Sequence, residues 1–288
     1  MTSTSDALTI AQHWLDVGNP QRCLDSLDET ALELDPPYAF GLRALALLRL
    51  GRPEDGLAAA RRGLEIAPGN GLLHFYAAQA SDALKHAEEA ERHYRIAQEQ
   101  LPEAVGVVTQ YGTFLAFAHR ESEARSLLRR AREIAPEDPT VHLLDAEIAA
   151  QAKNWPRVQA SARRVLAEDP EDTRALVLDA VAASKLGDHD TAARSVRRAA
   201  ASRVGDQTLA LAARQSAVAM LPAMWPLRLV SRFAWWQIWL AALITLRLIR
   251  ATAPEPVWIT ATILWIAFVA YSWVLPPLLT AWVKRRMR

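Results

Sequence analysis

An all-α stack of paired helices is the fold class this sequence predicts, and three rows of residues at one period predict it. Pro68, Pro102, Pro136 and Pro170 are spaced by 34 residues, with Pro36 32 residues before them and Val204 34 after. Gly56, Ala90, Ala124, Val158 and Ala192 keep the same spacing, and Cys23 sits 33 residues before Gly56. Ala44, Ala78, Gly112, Ala146 and Ala180 form the third row, opened 33 residues earlier by Ala11. Self-similarity at a fixed period of this length marks stacked supersecondary units, and 34 residues is the length of a helix–turn–helix unit.

Composition agrees. About half of the 288 residues are hydrophobic, and the net charge is +1. That small number hides an asymmetry. From Trp225 onward there are eight Lys or Arg against one acid, Glu255, so an acidic body carries a basic tail. Eight of the ten tryptophans also lie in that tail. The shift places a boundary near Leu221 to Pro226. The single cysteine, Cys23, excludes an intrachain disulfide and a thiolate metal cluster. It stands on the small-residue row, where a buried thiol packs like alanine. The first residues have no basic start and no apolar run, so no secretory signal is expected.

The unit from Pro139 to Pro170 shows how each element arises. Val141, Leu144, Ile148 and Ala152 recur at helical spacing and predict the first helix. Asn154-Trp155-Pro156 turns the chain, with proline tolerated where a helix starts because its missing N–H is not needed there. Val158, Ala162, Val165 and Leu166 form the apolar stripe of the second helix. Pro170 stops it, since proline disfavours helical geometry in the residue before it. The small residue on each helix predicts close backbone approach within the pair.

The unit ending at Pro102 carries Ala90, Tyr94 and Ala97, and the unit ending at Pro136 carries Tyr111-Gly112, Ala124, Leu128 and Ala131. These positions resemble the tetratricopeptide repeat. The resemblance covers about residues 4–204 and implies a right-handed α-solenoid of about six helix-turn-helix repeats. Three units depart from its pattern by placing Arg43, Asp145 and Asp179 where the family has leucine. His74 and His142 replace the aromatic that opens the first helix. A slight rotation of the first helices is therefore expected, with apolar residues one position earlier carrying the core. Residues Gln207 to Met220 read as a helix capping the last repeat, so domain one is 1–220.

The remainder, 221–288, is expected to be a membrane anchor. Val257 to Val283 holds no charge. Its part before Pro276 would extend about 28 Å as a helix, close to the roughly 30 Å hydrocarbon thickness, so a transmembrane helix is expected at about 257–277. Phe233 to Leu246 is a shorter charge-free run bounded by Arg232 and Arg247. Its length also fits an interfacial helix. Snorkelling arginines and apolar residues on the arginine side favour a second span at about 229–249. Trp258 and Trp282 fit interfacial belts, and Lys284, Arg285 and Arg286 with Arg232 and Arg247 act as interface anchors. The short loop Ala251 to Pro256 makes a hairpin. Six basic residues on the outer side against two on the loop side place both termini in the cytoplasm.

No catalytic constellation emerges, so no enzyme activity, cofactor or metal is expected. Gly69-Asn70-Gly71 precedes a helix, but no strand precedes it and no third glycine follows, so the phosphate-loop fingerprint fails. Lys284 to Arg288 lacks aromatic interleaving and reads as a lipid-facing anchor, not a nucleic-acid patch. Glu88, Glu89 and Glu91 read as a solvated helix face. The resemblance implies instead a concave groove lined by the first helices, which receives a protein or peptide partner. Carried over by position, its candidates are Leu45, Phe75, Gln79, Thr109, Thr113, Leu143, Glu147, Val177 and Val181. They mix apolar and small polar types and lack the family's Lys and Asn chaperone-tail clamp. The row fits an amphipathic segment laid in a groove. The chain therefore reads as a membrane-anchored scaffold touching the bilayer and a protein partner. The alternative is an accessory subunit of a larger membrane complex, with Gln237, Thr245, Thr260 and Thr262 as polar contacts within the spans. Homo-oligomers are compatible with either.

Overall fold

The computed structural model describes residues 4–27, 34–202, 208, 211–213, 235–252, 254, 256–257, 259–269 and 271. Among these there is no β-strand. They form two compact units, Met1–Ala152 and Lys153–Arg288.

In the first unit the helices are α1 (Thr4–Asp16), α2 (Pro20–Ser26), α3 (Pro36–Arg49), α4 (Pro53–Ile66), α5 (Gly71–Ala83), α6 (Ala87–Gln100), α7 (Val105–Phe117), α8 (Glu121–Ile134) and α9 (Pro139–Gln151). In the second they are α10 (Trp155–Glu168), α11 (Thr173–Leu186), α12 (His189–Ser202) and α13 (Trp235–Thr252). Asn19, Asp35, Asn70, Asp138, Asn154 and Asp172 cap helix starts by accepting backbone N–H groups that have no intrahelical partner. Gly69-Asn70-Gly71 is thus a connector whose asparagine caps α5, as the failed phosphate fingerprint implied.

The turn inside each pair has its own 34-residue row. Gly51, Lys85, His119, Lys153 and Gly187 all have positive φ, and Gly18 opens the series. At Gly18, Gly51, Lys85, His119 and Gly187 the first helix ends with a 6→1 backbone bond, as in His86 N to Ser81 O at 2.8 Å and Arg120 N to Leu115 O at 2.9 Å.

The small-residue rows are buried where the pairs close, except at Ala192, which is half-buried. A Cβ on Gly56 would stand 3.4 Å from the Ala44 carbonyl oxygen, so the two helices of that pair approach backbone to backbone. Cys23 is fully buried on its row, and burial pushes its thiol up to about 11, which suits packing and not reactivity. In the first unit the core runs from α1–α3 around Leu15 and Leu42, through α3–α5 around Leu47 and Leu57, to α5–α9. In the last group Tyr94 stacks on Tyr111 with ring centroids 5.6 Å apart and meets Phe114 at 5.5 Å. Such aromatic pairs add about 0.5–1.5 kcal/mol beyond area burial.

One position before Arg43, Asp145 and Asp179, Leu42 and Leu144 are buried in the core as expected, and Leu178 is half-buried. Asp145 and Asp179 are buried as well, at 4% and 3% exposure, with Arg132 and Arg163 beside them.

The tail differs in part from its expected form. Helix α13 ends at Thr252, ahead of Pro254, and not near 249; residues 229–234 of the expected span lie outside the described residues. Arg247 and Arg250 sit in its C-terminal part, and among the described residues no helix is long and apolar enough to cross a membrane. Of the expected second span, residues 259–269 are helical and 272–277 lie outside the described residues. The expected cap at 207–220 is described only at 208 and 211–213, and the 220/221 boundary falls outside the described residues.

Candidate functional site

Positions 34 residues apart on successive first helices form two rows. One is Phe75, Thr109 and Leu143, with Val177 in the second unit. The other is Leu45, Gln79, Thr113 and Glu147, with Val181 in the second unit. The structure joins one pair directly, because Thr113 Oγ1 donates to Glu147 Oε2 at 2.7 Å. Leu45 packs partly buried on the α1–α3 core, and Phe75 sets its edge toward Tyr94 at 6.4 Å. Thr109 turns inward, its hydroxyl donating to Val105 O at 2.9 Å. Leu143 and Glu147 lie on a stretch of α9, Val141 to Ala149, in which every residue is buried. Gln79, Thr113 and Val177 are half-buried, and Val181 is exposed on α11. Of the interface anchors, Arg247 is described and exposed; Arg232, Trp258, Trp282, Lys284, Arg285 and Arg286 lie outside the described residues.

Three polar clusters escaped the sequence reading. In the first, His74 Nδ1 and His93 Nδ1 are 2.8 Å apart, and His74 Nε2 lies 2.9 Å from the Pro68 carbonyl oxygen. A carbonyl only accepts, so His74 donates from Nε2, and His93 donates from Nδ1 to His74. Glu89 Oε1 lies 3.8 Å from His93 Nε2 and 2.5 Å from Arg61. Burial, then the neighbouring His74, holds His93 below the usual imidazole range, whereas the Arg61 hydrogen bond holds Glu89 below the usual carboxylate range. Glu91 is held low by Arg120 at 2.7 Å and also pairs with Arg95. Glu89 and Glu91 are therefore ion-paired groups, not the solvated face the sequence predicts. Their partners are 28 and 29 residues away and invisible to helical spacing.

The second and third clusters hold the buried aspartates. Arg132 Nη2 of α8 is 3.2 Å from Asp145. Ser195 Oγ of α12 donates to Asp179 Oδ2 at 2.6 Å, and Arg163 Nε of α10 is 3.5 Å from Asp179 Oδ1. The signal that could have found them is the coincidence of an acid at an apolar register with Arg on the preceding helix. Among the described residues no group of three or more His, Cys, Asp or Glu is arranged to hold a metal ion.

Paired antiparallel helices stacked at a 34-residue period define a helical-repeat protein with a tetratricopeptide-like fold. Solved structures agree at the level of fold. PilW, described as a type IV pilus biogenesis factor, matches 73% of this chain and 98% of its own at 16% identity and a TM-score of 0.56. The PilF protein of Pseudomonas aeruginosa matches 74% of this chain and 95% of its own at 18% identity and 0.53. A tetratricopeptide repeat protein from Parabacteroides merdae matches 75% of this chain and all of its own at 13% identity and 0.49. No family model and no curated protein matches the sequence.

Proposed function

We propose that this chain is a non-catalytic scaffold whose first helices hold a protein segment, and that its tail attaches it to the cytoplasmic face of a membrane. The hydrogen bond between Thr113 and Glu147 carries the groove reading. It links equivalent places on successive repeats of the first unit, Thr113 on α7 and Glu147 on α9, which supports reading that part of the row as one lining. Helical-repeat stacks use such rows to seat extended or helical segments. The membrane reading rests on exposed apolar side chains, Leu243, Ile244 and Leu248 on α13 and Ile263, Leu264 and Ile266 beyond it. Patches of this kind mark membrane or protein contact.

Photo-crosslinking in native membranes tests the groove. A benzoylphenylalanine at Gln79 should give a discrete crosslinked species that the same residue at Arg129, exposed on α8, does not. Equal products from both sites would defeat the groove. Cysteine labelling at Ala251 and Met287 tests the anchor, since a hairpin places the two on opposite sides.

The same apolar residues support a second reading, an accessory subunit held in a larger membrane complex by its tail. Deleting 221–288 separates the two. A scaffold keeps its crosslinked partner, and an integral subunit loses it.

A further inference from the structure

We infer that the first unit carries a second binding site, for an acidic peptide segment with an apolar anchor, between α2, α3 and α4. A cavity of about 280 Å³ opens there. Phe40 and Leu47 of α3 and Leu24 and Leu27 at the end of α2 form its apolar lining, and Arg43, Arg52 and Arg62 supply three guanidinium groups.

Among the described residues the charges are not balanced. Arg52 pairs with Asp55 at 2.6 Å. Arg43 and Arg62 have no ion pair or hydrogen bond to any described residue. Arg43 is half-buried at a register position where the resembled repeat has leucine, so it contributes to the cavity a cation in place of a packing group. A guanidinium partly withdrawn from water and left unpaired loses hydration without compensation. A carboxylate restores the missing partner, and the planar fork of arginine matches it in bidentate fashion. The apolar lining selects a ligand that brings more than charge. A Leu or Phe side chain on Phe40 and Leu47, flanked by Asp or Glu, satisfies both.

This site is independent of the groove. At about 100° per residue, Arg43 and Leu47 lie on the side of α3 roughly opposite Leu45. Failure of one reading therefore leaves the other standing.

The test is fluorescence anisotropy on the full chain in mild detergent. The probe is the acetylated hexapeptide Glu-Asp-Leu-Phe-Asp-Glu with a C-terminal fluorescein. Affinity should fall about tenfold or more in Arg43→Leu and in Arg62→Gln, and again as salt rises from about 0.05 M to about 0.5 M. A version with Lys at every acidic place should not bind. Arg43→Leu installs the residue the repeat ordinarily uses, and Arg62 is exposed, so both variants are expected to fold; circular dichroism checks this. Arg129→Gln, which removes an exposed arginine of α8 outside the cavity lining, should leave the affinity unchanged. Equal binding of the acidic and basic peptides, or unchanged affinity in both arginine variants, would overturn the proposal. So would displacement by inorganic phosphate as effective as displacement by unlabelled peptide, because that outcome describes a simple anion site.

Discussion

Ser195 donates its hydroxyl to Asp179 at 2.6 Å inside the second unit, where both side chains are buried. A carboxylate in that setting is tolerable only with partners, and Arg163 supplies the opposite charge. Ser195→Ala should therefore lower stability by about 1–3 kcal/mol, the range for stripping a hydrogen bond from a buried charged group. Asp179→Leu removes the charge and installs the apolar residue of the repeat pattern. It should be neutral or stabilising. Urea titrations of both variants check the contrast, and a severe loss in Asp179→Leu would refute it.

The turn row makes an opposite pair of expectations. His119 holds φ at 59°, a conformation that glycine adopts without Cβ strain, so His119→Gly should raise stability by about 1 kcal/mol. Gly187 holds φ at 81°, and Gly187→Ala should lower it by a similar amount. Thermal melting of the two variants should move in opposite directions.

The His74–His93 pair makes stability depend on pH. His93 is held below the ordinary imidazole range, so the unfolded chain binds a proton there more readily than the folded one. The contribution is complete above the unfolded value near 6.5 and declines as pH falls through it. Groups facing the pair are Glu89, Arg61 and Arg92, of which Glu89 opposes the shift. Because Glu89 and Glu91 are held low by arginines, their stabilisation persists until more acidic pH. His93→Gln keeps a donor toward His74 and should flatten the stability profile between about pH 7.5 and 5.5. An unchanged slope would show that His93 binds protons equally in the folded and unfolded chain.

Two helical glycines separate crowding from propensity. A Cβ on Gly63 would stand 2.7 Å from Leu73 Cδ1 and 3.1 Å from Phe40 Cβ, so Gly63→Ala should lower stability by about 1–3 kcal/mol. Gly106 has nothing within 4 Å of that position, and Gly106→Ala should raise it by up to about 1 kcal/mol. Calorimetry on the pair measures both.

The period was legible because its residues act through local rules. A proline past a helix's first turn ends it, one at the first turn starts it, and a small residue such as Ala44 or Gly56 permits backbone approach regardless of distant partners. The turn row was harder to see, since Lys85, His119 and Lys153 occupy a conformation that composition ordinarily flags with glycine. The buried acids were the least visible. Asp145 and Asp179 look like breaks in an apolar pattern, and the groups that neutralise them lie on other helices. In the candidate groove, position alone named the rows. It did not foresee that Thr113 and Glu147 would bond, or that α9 would be enclosed along Val141–Ala149.

The protein has one cysteine, and Cys23 lies sealed against solvent on its small-residue row. A maleimide dye or nitroxide will therefore attach selectively to any surface cysteine introduced by mutation, with the native thiol left in place. Distances between labelled repeats then become measurable by resonance-energy transfer or paired-spin spectroscopy on an otherwise unaltered chain.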